Sequence, residues 1–241
     1  MRKEPNYRVL TIALLVAVVF VTSSSPRSLL SVLGVFIGAL CLMLTAYMLT
    51  GHRLHLQLAV VFGASAFLPY AWLSIHPAGL VLELSKSIYA LNLFVWLSFT
   101  LYIGLIVFRG IISAHVISTN EVAGAVYVYL LTGILFAGIY QLLLTWQPGA
   151  LYFDPARFSE PLIIGNGIST RGAGAVLYYS FVTLGTVGYG DVTPASPAAR
   201  SVSLVEMVVG IMYVATMIAR LVSIQTSNET RGAGHAKSSQ E

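Results

Sequence analysis

Thr186, Val187, Gly188, Tyr189, Gly190 and Asp191 place glycine at alternate positions beside a hydroxyl and a carboxyl. Gly188 and Gly190 can take φ above zero without the steric cost that a Cβ imposes. Such residues, spaced by one, let successive peptide carbonyls point to one side of the strand instead of alternating. A column of carbonyl oxygens is hard-ligand chemistry, able to stand in for the water around a dehydrated cation. It supplies no nucleophile, base or redox group.

The surrounding chain explains where such a column would sit. Of 241 residues, 57% are hydrophobic and 9% charged. Soluble chains carry about 25% charged residues, so this composition cannot cover a surface facing water. Lipid is the partner it implies. The formal net charge of +4 is small and dispersed, which argues against nucleic acid. The single cysteine, Cys41, lies inside an apolar run, excluding an intramolecular disulfide and a Cys-rich metal site. No nucleophile with a matching base, phosphate-binding loop or metal-ligand pair stands out, so an enzyme is not expected and no cofactor is called for.

Four runs free of Asp, Glu, Lys and Arg are long enough to cross about 30 Å of hydrocarbon: Leu29 to Thr50, Leu56 to Ile75, Ile88 to Phe108 and Val122 to Trp146. A fifth, Val202 to Ala219, contains one acid, Glu206. Val9 to Val21 is shorter and also has signal-peptide character, with Arg2, Lys3 and Arg8 before the apolar core and Thr22 to Ser25 after it. No A-x-A site follows, so a retained helix is expected. The count is about six spans. With both termini cytoplasmic, Arg2, Lys3, Arg8, Arg53, Arg109, Arg220, Arg231 and Lys237 lie inside, and Arg27, Lys86, Arg157, Arg171 and Arg200 outside. Gln147 to Ser201 then faces outward, beginning as a loop with Pro148, Pro155 and Pro161. From Gly174 to Leu184 it becomes apolar, a stretch too short to cross as a helix. Non-helical backbone at membrane depth must be enclosed by protein or line a water-filled path, which is the setting that Thr186 to Asp191 requires.

The run TVGYGD resembles the selectivity-filter signature of potassium channels, the pattern by which such filters are generally illustrated. The resemblance extends over Leu177 to Val222: YYSFVTLGTVGYGD, then TP and SPAAR, then a helix carrying Gly210. It implies a pore helix, filter and inner helix, with Val122 to Trp146 as outer helix, in an all-α membrane fold whose re-entrant segment lies between the last two spans. On that basis 1–121 is an N-terminal four-helix membrane domain, 122–222 the pore domain and 223–241 a disordered cytoplasmic tail. The carbonyls of Thr186, Val187, Gly188 and Tyr189, with the Thr186 hydroxyl at the inner end, would coordinate potassium, the permeant ion. Gly190 and Asp191 would form the outer mouth. Because the chain holds a single TVGYG, four copies must surround the axis, a cyclic homotetramer.

Two positions depart from the family pattern. Gly185 stands where many relatives have a second threonine, which leaves a weakly selective cation channel as the alternative reading. Val182 stands where some bacterial relatives place a glutamate that pairs with the filter aspartate, and Tyr179 is the expected substitute partner for Asp191. Tyr178 and Tyr179 occupy places where the family builds an aromatic cuff, against the plainer reading of interfacial aromatics. Glu206, an acid inside a span, costs about 2.5 to 3.5 kcal/mol at a helix centre and should face protein. It is expected to brace the pore helix or filter from behind, against a tolerated acid near the interface. Gly210 is either a gating hinge or a close packing contact.

Six helices with a filter between the last two resemble the voltage-gated plan, yet Ile88 to Phe108 holds no Arg or Lys, and Arg109 lies beyond its end. A sensor needs charges worth about 2.3 kcal/mol each per 100 mV, so steep voltage gating is not expected. The polar tail offers no ligand-binding domain, and gating stays unassigned. His52, His55 and His115 read as solvated loop histidines; Pro69 as a kink and Asn92 as an interhelical contact. A non-conducting auxiliary subunit is the reading from another class. The compact loops point to a bacterial inner membrane.

Overall fold

The computed structural model describes residues 6–23, 37–45, 82–113, 118–158, 164–165, 168–169 and 173–238. They are mostly helical: α1 (Tyr7–Ser23), α2 (residues 37–45), α3 (Leu82–Ser113), α4 (Thr119–Trp146), α5 (Ala173–Leu184) and α6 (Pro197–Ser238). Short strands β1 (Leu151–Phe153), β2 (Ile164–Gly165) and β3 (Ile168–Ser169) precede α5, and β4 (Val192–Pro194) follows it. Within these helices, Tyr89–Ser113, Thr119–Trp146 and Pro197–Arg220 are long and apolar enough to cross a membrane. The expected span Leu56 to Ile75, with Pro69, lies outside the described residues, as do His52, His55 and His115.

Helix α4 is the hub. Ser118 caps its first turn by accepting from the Asn120 amide, while Glu121 accepts from the Ser118 amide at 2.7 Å, so two otherwise orphaned donors are satisfied together. α1 docks on it through one stripe, Tyr7, Leu10, Leu14, Ala17 and Val21, at the spacing of a single helix face. The Tyr7 amide donates to Asn120 Oδ1 at 2.9 Å and the Thr11 hydroxyl to the Ala123 carbonyl at 2.8 Å, anchoring that face. The opposite face of α1, with Val9, Ile12, Leu15 and Val19 exposed, fits lipid. α3 buries Phe99, Ile103, Val107 and Ile111 against α4 in the same fashion. From α2, Thr45 exchanges a hydrogen bond of 2.8 Å with the Tyr127 hydroxyl.

After α4 the chain doubles back. β1 pairs antiparallel with β4, with Tyr152 opposite Thr193, and the Asp154 amide donates to the Asp191 carbonyl at 2.9 Å. The end of α4 is thereby tied to the segment leaving Gly190. α5 has 12 residues, about 18 Å of helix, enough to enter a membrane and return but not to cross. α6 starts at a Ser196 cap, whose hydroxyl accepts from the Ala199 amide at 3.1 Å, with Pro197 at the first helical position. The helix runs on to Ser238, where a disordered tail from residue 223 is the expectation from composition. No proline interrupts the polar stretch, so the backbone of the preceding span continues through it.

Candidate functional site

Residues 185–190 leave α5 as exposed, non-helical backbone. Their amides turn back onto the helix: Gly185 donates to the Phe181 carbonyl at 2.9 Å, Thr186 to Thr183 at 3.0 Å, and Val187 and Gly188 both to Val182, at 2.9 and 3.4 Å. These bonds satisfy carbonyls that the last helical turn would otherwise leave open. Among the described residues, no backbone bond outside the helices and strands ends on the carbonyls of Thr186, Val187, Gly188 or Tyr189.

The backbone supplies the other half of the geometry. φ is +57° at Thr186, +58° at Gly188 and +79° at Gly190, while Val187 and Tyr189 between them keep ordinary negative values. Positive and negative φ therefore alternate through five positions, the arrangement that turns successive carbonyls to one side. At the two glycines this conformation is nearly free; at Thr186 it costs about 1–2 kcal/mol. The sequence reading assigned Thr186 a coordinating carbonyl and hydroxyl but gave positive φ only to the two glycines. Counting back two from Gly188 along the same alternation was the available signal.

The side chains around this strand sort onto two faces of α5. Tyr178 faces the mouth: its hydroxyl donates to Asp191 Oδ2 at 2.8 Å, and its ring lies parallel to that of Tyr189, centroids 6.5 Å apart and planes 3° from each other. Phe158 closes over the same ring at 6.5 Å. The Asp191 partner is therefore Tyr178, which corrects the expectation of Tyr179. The next residue along a helix points about 100° away, and Tyr179 turns behind the strand, where its hydroxyl meets Ser203 at 2.7 Å and its ring meets Tyr140 edge-on at 5.0 Å. Asp191 itself also accepts from the Val192 amide at 3.0 Å.

Glu206 is 0% exposed and lies behind α5. Its Oε2 accepts from the Tyr140 hydroxyl at 2.6 Å, and its Oε1 lies 2.5 Å from the Ser180 hydroxyl, which in turn reaches the Gly133 carbonyl at 2.8 Å. One acid of α6 thus touches both α4 and α5. Tyr140, Ser180 and Ser203 were absent from the sequence reading; hydroxyls at the depth of an intramembrane acid were the pointer to them. Gly210, one turn further along α6, sits where a Cβ would lie 2.3 Å from the Leu184 carbonyl oxygen. Close approach of the inner helix to the end of α5 is enough to require glycine there.

These features have the arrangement of an ion-channel pore segment. Residues 128–226 match the family model described as ion channel. Two curated relatives place it further. Over 47 residues, 20% of this chain and 10% of the relative, the sequence is 45% identical to two pore potassium channel c of Oryza sativa subsp. japonica. Over 210 residues, 76% of this chain and 46% of the relative, it is 26% identical to the voltage-gated potassium channel Kch of Escherichia coli strain K12. The chain spans less than half the length of either relative. No solved structure matches it at a significant level. Over this pore segment the chain is similar to the ion channel family, and both relatives are named as potassium channels.

Proposed function

We propose that the protein is a potassium-selective channel that conducts passively down the electrochemical gradient as a homotetramer of six-helix subunits. The observation that carries this reading is the alternation of φ at Thr186, Gly188 and Gly190, with the amides of residues 185–188 turned back onto α5. Carbonyls without backbone partners are left for the ion, and they replace its hydration shell. The carboxyl end of α5 lies at the inner start of the strand, and its dipole, equivalent to about half a negative charge, favours a cation there.

Tetramer formation is supported by what the single chain leaves uncovered. Val187 is 54% and Tyr189 65% exposed, although both sit at the depth of the strand. Leu204, Val205, Val208, Ile211 and Met212 of α6 are exposed as well. Three further copies around an axis would cover them and complete a ring of carbonyls.

Steep voltage gating is not part of the proposal. Between Tyr89 and Phe108, α3 carries no basic residue. Gly210 serves packing in this reading, with the hinge role set aside in favour of the Leu184 contact. Tyr178 and Asp191 hold the outer mouth, Tyr179 and Glu206 the back of α5. The termini are placed in the cytoplasm, in a bacterial inner membrane, from the distribution of basic residues and the compact loops.

Rubidium uptake into proteoliposomes containing only this protein tests the function. Barium-sensitive uptake resistant to sodium and lithium competition is the expected result. Comparable sodium permeation would support the weakly selective channel instead, and the absence of any barium-sensitive flux across pH and voltage would favour a non-conducting subunit.

A further inference from the structure

The buried cluster behind α5 contains more oxygen contacts than hydroxyl protons. Five oxygen pairs approach within 2.8 Å: Ser180 with the Gly133 carbonyl and with Glu206 Oε1, Tyr140 with Glu206 Oε2, and Ser203 with Tyr179 and with the Ala199 carbonyl. Each needs one hydrogen. Tyr140, Tyr179, Ser180 and Ser203 supply one apiece, which leaves the cluster a hydrogen short.

The shortage falls on Ser180. Tyr179 donates to Ser203, Ser203 to the Ala199 carbonyl and Tyr140 to Glu206, which satisfies three pairs. Ser180 has one proton for two acceptors, the Gly133 carbonyl at 2.8 Å and Glu206 at 2.5 Å. A carboxylate at Glu206 would leave one of those pairs as two facing lone-pair oxygens in a site without water access. It would also bury a charge whose partners among the described residues are hydroxyls and not cations, an expensive arrangement in a membrane interior. A proton on Glu206 removes both problems at once.

We propose that Glu206 is held as a neutral carboxylic acid, and that its proton completes a hydrogen-bond relay from α6 through Ser180 of α5 to the Gly133 carbonyl of α4. The acid on Oε1 donates to Ser180, Ser180 donates to Gly133, and Oε2 accepts from Tyr140. The sixth contact, Tyr140 to Ser203 at 3.1 Å, is the longest and is the one left without its own hydrogen. Glu206 is thereby a positioning residue. It acts through Ser180, which directly precedes Phe181 and Val182, whose carbonyls receive the amides of Gly185, Val187 and Gly188. Fixing Ser180 on two sides fixes the turn from which the strand of carbonyls hangs.

Glutamine separates this proposal from a charged brace. Its amide nitrogen can donate to Ser180 and its amide oxygen can accept from Tyr140, so it reproduces the neutral acid and not the carboxylate. In the full-length protein, Glu206→Ala is expected to lower both the thermal stability of the assembled protein and barium-sensitive rubidium flux, the latter about tenfold, the scale set by leaving buried hydroxyls unpartnered. Glu206→Gln is expected to rescue both. The infrared difference spectrum of wild type against Glu206→Gln is expected to contain the carbonyl stretch of a protonated carboxylic acid, displaced in D2O. Absence of that band, or a Glu206→Gln protein as impaired as Glu206→Ala, overturns the proposal. The flux arm rests on the channel reading, whereas band and stability do not: a wild-type protein that shows the band without flux fails the first reading and keeps the second.

Discussion

The two faces of α5 solve opposite problems with the same few atom types. In front, the strand 185–190 is exposed, strained at Thr186 and free of backbone partners on its carbonyls. Behind, Glu206, Ser180 and Tyr140 are each enclosed, and their polar atoms are engaged with one another. A coordinating strand must leave its acceptors unsatisfied until an ion arrives, so it cannot stabilise itself by hydrogen bonding. Stability has to be supplied from the other side of the helix that carries it. In the channel reading, the buried polar residues that look most expensive are those that allow the strand 185–190 to stay unpaired.

The sharpest way to break this division is to alter the front and leave the back alone. At Gly188 an added Cβ would meet nothing within 4 Å in its own chain, so within the subunit Gly188→Ala introduces only a left-handed alanine. The penalty, about 1–2 kcal/mol, is removed if the peptide flips and takes its carbonyl out of the column. Barium-sensitive flux is expected to disappear while the assembled protein retains nearly wild-type thermal stability. Retention of flux would mean that the alternation of φ is not what coordinates the ion.

The converse change strikes the back. Gly210→Ala drives a Cβ to 2.3 Å from a backbone carbonyl of Leu184, which cannot move aside as a flexible side chain would. Overpacking of this kind costs about 1–3 kcal/mol, felt as lower thermal stability of the whole assembly. Flux per folded protein is expected to fall less than stability does. The reverse pattern, stability intact and open time altered, would restore Gly210 as a hinge.

How much of this was legible in the sequence follows the same division. The front was readable because it depends on backbone conformation, and glycine at alternate positions states that conformation directly; Gly188 and Gly190 carried it. Three spans were readable from apolar runs, with α3, α4 and α6 each enclosing the stretch marked out, while α1 encloses Val9 to Val21 as a shorter apolar helix. The back was half legible. Glu206 announced itself as an acid in an apolar helix, but Tyr140 and Ser180 lie 66 and 26 residues away along the chain, and only the packing of α4 and α5 brings them to it. The exchange of Tyr178 for Tyr179 at Asp191 has the same origin: adjacent tyrosines are equivalent by composition, and the rotation of a 12-residue helix about its axis decides between them.

Tyr178 marks the boundary between the two faces, and its removal should therefore have the smallest effect of the three. Tyr178→Phe keeps the ring that lies parallel to Tyr189 and deletes only the hydroxyl that donates to Asp191 at 2.8 Å. Asp191 keeps the Val192 amide at 3.0 Å, and β1 and β4 still hold its backbone. A bond to a carboxylate is worth about 1.5–3 kcal/mol, but these remaining contacts confine its loss to the mouth and leave the carbonyl strand in place. Initial rubidium flux and its preference over sodium are expected to match wild type, since no coordinating carbonyl has moved. What should change is persistence: a mouth held at one fewer point should lose conduction sooner during sustained recording in bilayers. Unaltered persistence would assign Tyr178 to packing alone, whereas loss of selectivity would mean that the outer mouth shapes the ion path itself and that the front of α5 is less self-contained than its backbone implies.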